Sequence, residues 1–349
     1  MTNFKTSFSA VAVAVFLAGC GGGGGGSDTA PVNPAPTVPA PAPAPAPTII
    51  AADLQTSVPA FTYAAGSVEH EFATVFNEFR AQLGLGLLAQ NSMLDLAANN
   101  HLQYVLKNDI RNGGTVDMNS VDPVTGRSMS HIEHASKPLF TGVQEAERAK
   151  SVGYAGGYVG EQLAFPGGKG GQVGFASLVS TVYHRAGLMF QSPREIGIAV
   201  GQNASQTLVM EVGYAKPQTN ASDYLGVYPA SGQTGVRLHA GVEAPNPFPD
   251  LSTANDDFPT KTGYPVSIVV KEGATLEVVS FSLSEVGATG PLDVRTMTKD
   301  NDPNRYLPAN MAFLVAKAPL KPNTTYSASF SGRVNNVVIN KEWKFTTGS

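Results

Sequence analysis

The sequence predicts an α+β chain: a domain of helices and strands, then an all-β domain, both behind an export leader. Three observations carry this. Apolar residues recur at helical spacing in several stretches between Phe72 and Met189, interrupted by strand-like runs. Beyond about residue 223 the pattern shortens to alternating runs separated by turn residues, the signature of a β-sandwich. The chain's one cysteine, Cys20, closes a short apolar run in Leu17-Ala18-Gly19-Cys20.

Residues 1–19 carry Lys5, the apolar run Phe8 to Leu17, and small residues at the close, the pattern of a signal peptide. The run is too short for a spanning helix, which needs about 20 apolar residues. Leu-Ala-Gly-Cys resembles the bacterial lipobox, which implies cleavage before Cys20 and its modification with acyl chains, palmitate among them, so that the membrane is a partner through Cys20. More than one chain is what stable anchoring requires. Gly21 rather than Asp follows the cysteine, which by resemblance to bacterial lipoproteins implies the outer membrane. The alternative is a secreted protein whose thiol lies beside its cleavage site.

Residues 20–64 read as a tether. Gly21 to Gly26 is pure glycine and Pro31 to Pro47 is rich in proline and alanine. The first is a flexible coil and the second an extended spacer of about 3 Å per residue. The whole chain is 42% hydrophobic and 14% charged, which leaves ample material for cores without disulfides. A net charge of -4 without a basic tract argues against nucleic acid as a partner.

The first domain is expected over residues 65–217. Phe72, Phe76, Phe79 and Leu83 mark a helix ending at Gly84 and Gly86. A second opens at Ser92, with the stripe Leu94, Ala97, Ala98, His101, Leu102 and Val105, and His101 reads as a hydrogen-bonded core histidine. A third helical piece spans about Val143 to Val152, and a β-like stretch runs from Tyr154 to Phe165 before the Gly167 to Gly171 cluster. Phe175, Leu178, Val179, Val182, Ala186 and Met189 follow one helical period, which turns His184 away from the core stripe. Ile196 to Val200 and Leu208 to Val212 read as an antiparallel hairpin.

Phe76-Asn77-Glu78-Phe79-Arg80, Gly84-Leu85-Gly86-Leu87-Leu88, Leu94 with Ala97-Ala98, Arg148-Ala149 with Gly153-Tyr154, Gly160-Glu161-Gln162-Leu163, and His184-Arg185 followed by Glu195-Ile196-Gly197-Ile198-Ala199 occur in this order. Together they resemble the CAP superfamily of cysteine-rich secretory, antigen 5 and pathogenesis-related proteins, especially its bacterial SCP-like branch. The resemblance implies a three-layer α-β-α sandwich with a groove lined by two histidines and two acidic residues, which hold zinc in some members. Carried over, His184 is the second histidine and Glu161 the first glutamate. The first histidine falls in Ser130-His-Ile-Glu-His134, where His131 is favoured over His134. The second glutamate is expected on the helix before His184, where the chain has Ser180, Thr181, Val182 and Tyr183, so that member is missing. Tyr154 and Tyr158 are expected to pack the groove wall.

Two histidines and a carboxylate with a water would make an open zinc site. His131, Glu161 and His184 are the tentative ligands, with Glu133 and His134 as alternates, and zinc is the one cofactor the resemblance suggests. No close-spaced ligand motif fixes them. No Gly-x-Ser-x-Gly elbow is present, and the only thiol is assigned to the anchor.

Residues 223–349 form the second domain, with strands expected at Val236 to Val242, Val266 to Val270, Leu276 to Leu283, Met311 to Val315, Tyr326 to Phe330 and Trp343 to Phe345. Leu320-Lys-Pro-Asn-Thr-Thr-Tyr326 looks like a tyrosine corner, and the closing Trp-x-Phe-x-Thr resembles bacterial Ig-like domains. Lys216 to Ser222 reads as a short polar linker. The expected function is that of a lipid-anchored, non-enzymatic binding module of the bacterial envelope, whose groove takes a small ligand, lipid, peptide or envelope component. The alternatives are a zinc-dependent hydrolase using His131, Glu161 and His184, and a structural or adhesion protein.

Overall fold

A computed structural model describes residues 49–349 apart from 167, 204–205 and 252–257. The leader, Cys20 and the Gly-rich and Pro-rich stretches therefore lie outside the described residues, as does Gly167. The chain is a mixed α+β protein. No helix among the described residues is long and apolar enough to cross a membrane.

Helix α1 (Val68–Gln82) starts where the Ser67 side chain accepts the His70 N–H, with Glu69 and Glu71 in the first turn, and it buries Phe72, Phe76 and Phe79. Strand β1 (Ala89–Gln90) leads into α2 (Ser92–Asn108). The cap of α2 is Asn91 rather than Ser92, because Asn91 is still extended and its side-chain oxygen accepts from Met93 N at 2.9 Å. After α3 (Glu145–Ser151) come β2 (Tyr158–Ala164), α4 (Gly171–Val179), α5 (Tyr183–Leu188), β3 (Glu195–Val200) and β4 (Leu208–Tyr214).

These strands form one sheet in the order β1-β3-β4-β2, antiparallel except for β1 with β3. Its two faces follow the period of two. Ile196, Ile198, Leu208 and Met210 share a core with Phe72, Phe76, Phe79 and Phe175, whereas Ala199, Val209 and Leu163 share one with Ala98, Leu102 and Val105 of α2. Two glycines permit this closeness. A Cβ on Gly171 would strike the α1 backbone at Val68 and Phe72, and one on Gly197 would strike the α2 backbone at Leu94 and Asp95.

The C-terminal lobe has two antiparallel sheets, β5-β6-β9-β8 and β11-β10-β7, built from β5 (Leu225–Tyr228), β6 (Val266–Val270), β7 (Leu276–Glu285), β8 (Val294–Met297), β9 (Met311–Ala316), β10 (Thr325–Val334) and β11 (Val337–Thr346). The expected strand at Val236 to Val242 does not form. Its backbone bonds scatter to Thr346, Leu320, Ser180 and Gly348, leaving only single bridges at Val236 and His239. Strands β5 and β8, both four residues long, replace it. Asn335 and Asn336, both at positive φ, turn β10 into β11. Tyr326 Oη accepts from Lys321 N at 2.8 Å, closing the tyrosine corner, and Trp343 and Phe345 are buried on one face.

The segment expected to be tether up to residue 64 is bound to the fold from Ile50 onward. Ile50 N donates to Ser222 Oγ, Asp53 bridges to Thr219, and Gln55 bonds Leu87 and Arg194 carbonyls. The expected linker is likewise tied down, with Gln218 and Asn220 buried and hydrogen-bonded to Pro193 and Gly84 carbonyls.

One hydrophobic core runs through both lobes. The Phe79 ring lies 5.0 Å from that of Tyr228, and the buried Arg185 guanidinium lies over Tyr228 and Tyr264 at 4.9 and 4.6 Å. Glu272 at the end of β6 accepts the Gln191 and Ser192 amides.

Candidate functional site

His131 ends a single helical turn, Met129–His131, which Ser128 caps. The turn sets the imidazole against the middle of β2, where His131 Nδ1 meets Glu161 Oε1 at 2.8 Å. Glu161 Oε2 accepts from Arg148 Nη2. Arg148, on α3, is fully buried, and its second terminal nitrogen reaches the His131 and Val143 carbonyls. Burial acts to raise the Glu161 pKa, but the Arg148 guanidinium, His101 and His131 hold the carboxyl well below the usual carboxylate range. Burial lowers the His131 pKa, and Glu161 only partly opposes it.

Behind this pair lies His101 on α2. It is buried, with Nδ1 2.9 Å from Glu133 Oε1 and Nε2 2.8 Å from the Ser130 carbonyl. The histidine on the apolar stripe thus braces the loop that carries His131. Glu133 is also spent inside, accepting the Thr141 amide at 2.6 Å, and His134 stands apart, 3.5 Å from Asp122.

The helical period read from Phe175 to Met189 is broken in the structure. Helix α4 ends at Ser180, and Ser180 and Thr181 turn their hydroxyls back onto the Ser177 and Leu178 carbonyls. Helix α5 then restarts against Glu243, a loop residue of the C-terminal lobe. Glu243 Oε1 accepts the Val182 amide at 2.7 Å, and Oε2 accepts the Tyr183 amide at 2.9 Å. The same Oε2 lies 3.3 Å from His184 Nδ1. A carboxylate is therefore supplied to His184 from 59 residues further along the chain.

Both imidazoles line one cavity of about 300 Å³. Glu243 and Ser130 also line it, and Leu163, Phe165, Leu178 and Val242 make its apolar walls. Arg111 stands at this cavity, 4.2 Å over the Phe165 ring, and is paired with Asp109 at 2.6 Å. Glu161 lies one layer deeper, behind His131. Tyr154 and Tyr158 are not part of the wall: they line a separate cleft with Gly156 and Gly157, where the Tyr154 hydroxyl donates to Glu195 and Tyr158 stacks on Tyr214.

Among the described residues no group of three or more His, Cys, Asp or Glu side chains is placed to hold a metal ion. Donor chemistry explains this for the tentative ligands: both Glu161 oxygens are taken by His131 and Arg148, and Glu133 by His101 and Thr141. At the cavity only the outer nitrogens of His131 and His184 remain, short of the three protein ligands of an open zinc site.

Sequence reasoning missed two residues. One is Glu243. The other is Glu211 on β4, directly opposite Glu161 in the β2/β4 register, fully buried and with neither oxygen hydrogen-bonded among the described residues. Burial first, and then the Glu161 charge, push its pKa well up, so the carboxyl holds its proton to higher pH than its neighbour does. Its clue was a glutamate in the apolar run Leu208-Val-Met-Glu-Val212.

No family model and no curated protein matches the sequence. Among solved structures, the chain is similar to an outer surface protein of Borrelia burgdorferi at a TM-score of 0.30 and 16% identity, over 41% of this chain and 90% of that one.

Proposed function

We propose that the chain is a lipid-anchored binding protein of the bacterial envelope, in which a CAP-like domain holds a small ligand in the His131/His184 cavity. The C-terminal lobe, read as an Ig-like domain, is part of that site through Glu243. The observation that carries this reading is the pair of carboxylate-oriented imidazoles, Glu161 with His131 and Glu243 with His184, opening onto one cavity. A carboxylate on Nδ1 fixes the tautomer and ring orientation and leaves Nε2 free to meet a ligand. The leader and lipobox support export and anchoring at the outer membrane through Cys20.

The test is a thermal-shift screen of wild type against the His131→Ala/His184→Ala double variant. Ligands of the cavity raise the wild-type melting temperature by mass action and leave the double variant unmoved. Equal shifts in both proteins place the ligands elsewhere. Anchoring is tested by metabolic labelling with a palmitate analogue, which Cys20→Ser abolishes.

The zinc-hydrolase alternative rests on the same carboxylate–histidine pairs, which are also the outer shell of metal-bound histidines. The donor set supports it less, since two nitrogens and no free carboxylate face the cavity. About one zinc per chain in protein purified without added metal, lost in the double variant, would favour it.

A further inference from the structure

The polar groups of the cavity differ in what they have left to offer. Glu161 accepts at His131 Nδ1, so the His131 proton sits there and Nε2 carries a lone pair. At His184, Nδ1 faces Glu243 Oε2 at 3.3 Å and Thr181 Oγ1 at 3.3 Å. Thr181 Oγ1 donates its own hydrogen to the Leu178 carbonyl at 2.8 Å, so both neighbours accept, and in the neutral imidazole the His184 lone pair lies on Nε2. Ser128 Oγ donates to the Met118 carbonyl at 3.2 Å, which leaves Ser130 Oγ to donate to Ser128 Oγ at 2.9 Å and to present its remaining lone pair. Three acceptors thus border a space whose apolar walls include Leu163, Phe165 and Leu178, with Arg111 and Asn119 as the donors of its lining.

Such a lining selects by elimination. An acyl chain would leave the acceptors desolvated and unpaired. A carboxylate or phosphate would bring lone pairs against lone pairs and against the Glu243 carboxylate, and Arg111, the one Arg or Lys of the lining, already pairs Nε and Nη2 with Asp109. A ring bearing several hydroxyls, with apolar C–H faces between them, satisfies both halves of the lining. A volume of about 300 Å³ is at the small end of ligand sites and suits one or two such rings.

We infer that the cavity binds a neutral saccharide of one or two pyranose rings, its hydroxyls donating to His131 Nε2, His184 Nε2 and Ser130 Oγ and its C–H face packed on Phe165 and Leu178. The inference rests on the cavity being the binding site, and names the class of ligand it takes.

Selective 15N labelling of the six histidines of the full chain, in micelles with a chelator present in every titration but that of zinc, gives the readout. Cellobiose and the disaccharide of N-acetylglucosamine are titrated, with zinc chloride, decanoate and a primary amine run in parallel. A saccharide is expected to shift the Nε2 resonances of His131 and His184 and leave their Nδ1 protonated. Binding of the same sugar, followed by saturation transfer, weakens about tenfold in each single His→Ala variant, the loss of one hydrogen bond. Val242→Trp, a change at an exposed residue of the cavity rim, keeps the fold and both histidines and also blocks the sugar. Shifts caused by zinc, decanoate or the amine but by neither sugar overturn the ligand class and leave the cavity as a site. No shift from any probe, or sugar binding that survives all three variants, overturns the inference and the cavity reading together.

Discussion

Glu161 and Glu211 face each other across two hydrogen-bonded strands with Arg148 as the guanidinium beside them, so their charges are set jointly. One carboxyl has its pKa pushed below the ordinary range and the other above it, and the two pull stability in opposite directions with pH. For Glu211 the folded pKa lies above the ordinary 4.5, so its contribution is whole below about pH 4.5 and is lost as pH rises. For Glu161 the folded pKa lies below 4.5, so its contribution is whole above that value and is lost as pH falls. Glu211→Gln, which keeps the shape without an ionisable proton, should therefore gain on the wild type by up to about 1.4 kcal/mol per pH unit above pH 4.5. Urea unfolding at a series of pH values measures this, and a difference independent of pH would mean that Glu211 ionises as readily folded as unfolded. Glu161→Gln should cost about 3 kcal/mol near neutrality, because it strips a buried guanidinium of its partner, and the cost should shrink in acid. At this scale the resemblance grouped His131, Glu161 and His184, and the fold sets both imidazoles on one cavity with Glu161 behind His131. Glu211 was legible only as an acid in an apolar strand, and Glu243 not at all, since nothing periodic links a loop residue to a helix 59 positions earlier.

Helix α5 is six residues long, too short to stand on its own propensity, and it has no side-chain cap from its own preceding residues. What starts it is Glu243, which takes two amides at its N-terminus and orients its histidine. A carboxylate there also suits the helix dipole. Glu243→Ala should cost about 2 kcal/mol, and hydrogen exchange of the Val182 and Tyr183 amides should speed up well beyond that of the α1 amides. Equal protection in both proteins would show that packing alone holds α5. The long amphipathic helices and the β3–β4 hairpin could be read from the sequence because their apolar periods are set by their own residues. The break between α4 and α5 could not, since Val182, Ala186 and Met189 keep the helical period while the turn at Ser180 is imposed by hydroxyl back-bonding and a distant acid. The scattered bonding of residues 236–242 was illegible for the same reason: an alternating apolar run says that a segment is half-buried, and its partners decide whether it is a strand.

Across the whole molecule, the lobes share a core and several polar contacts, so they should not unfold independently. Phe79 meets Tyr228, Arg185 is held between Tyr228, Tyr264 and the Pro265 carbonyl, Glu272 binds the turn after α5, and Glu243 starts that helix. The chain carries its own probes for this. All five α-helices among the described residues belong to the first lobe, and the one tryptophan, Trp343, is buried in the second. Helical circular dichroism therefore follows one lobe and tryptophan fluorescence the other. In wild type the two denaturation curves should coincide in a single transition, the mark of one cooperative unit. Arg185→Ala removes the cation from the seam and leaves the β-sheets of both lobes intact. It should lower the midpoint and separate the curves, with helical signal lost first because α5 depends on the seam and the C-terminal sheets do not. Curves already separate in wild type would make the seam a contact between independent domains, and the completion of the His184 site by Glu243 would then need a ligand to hold the lobes together.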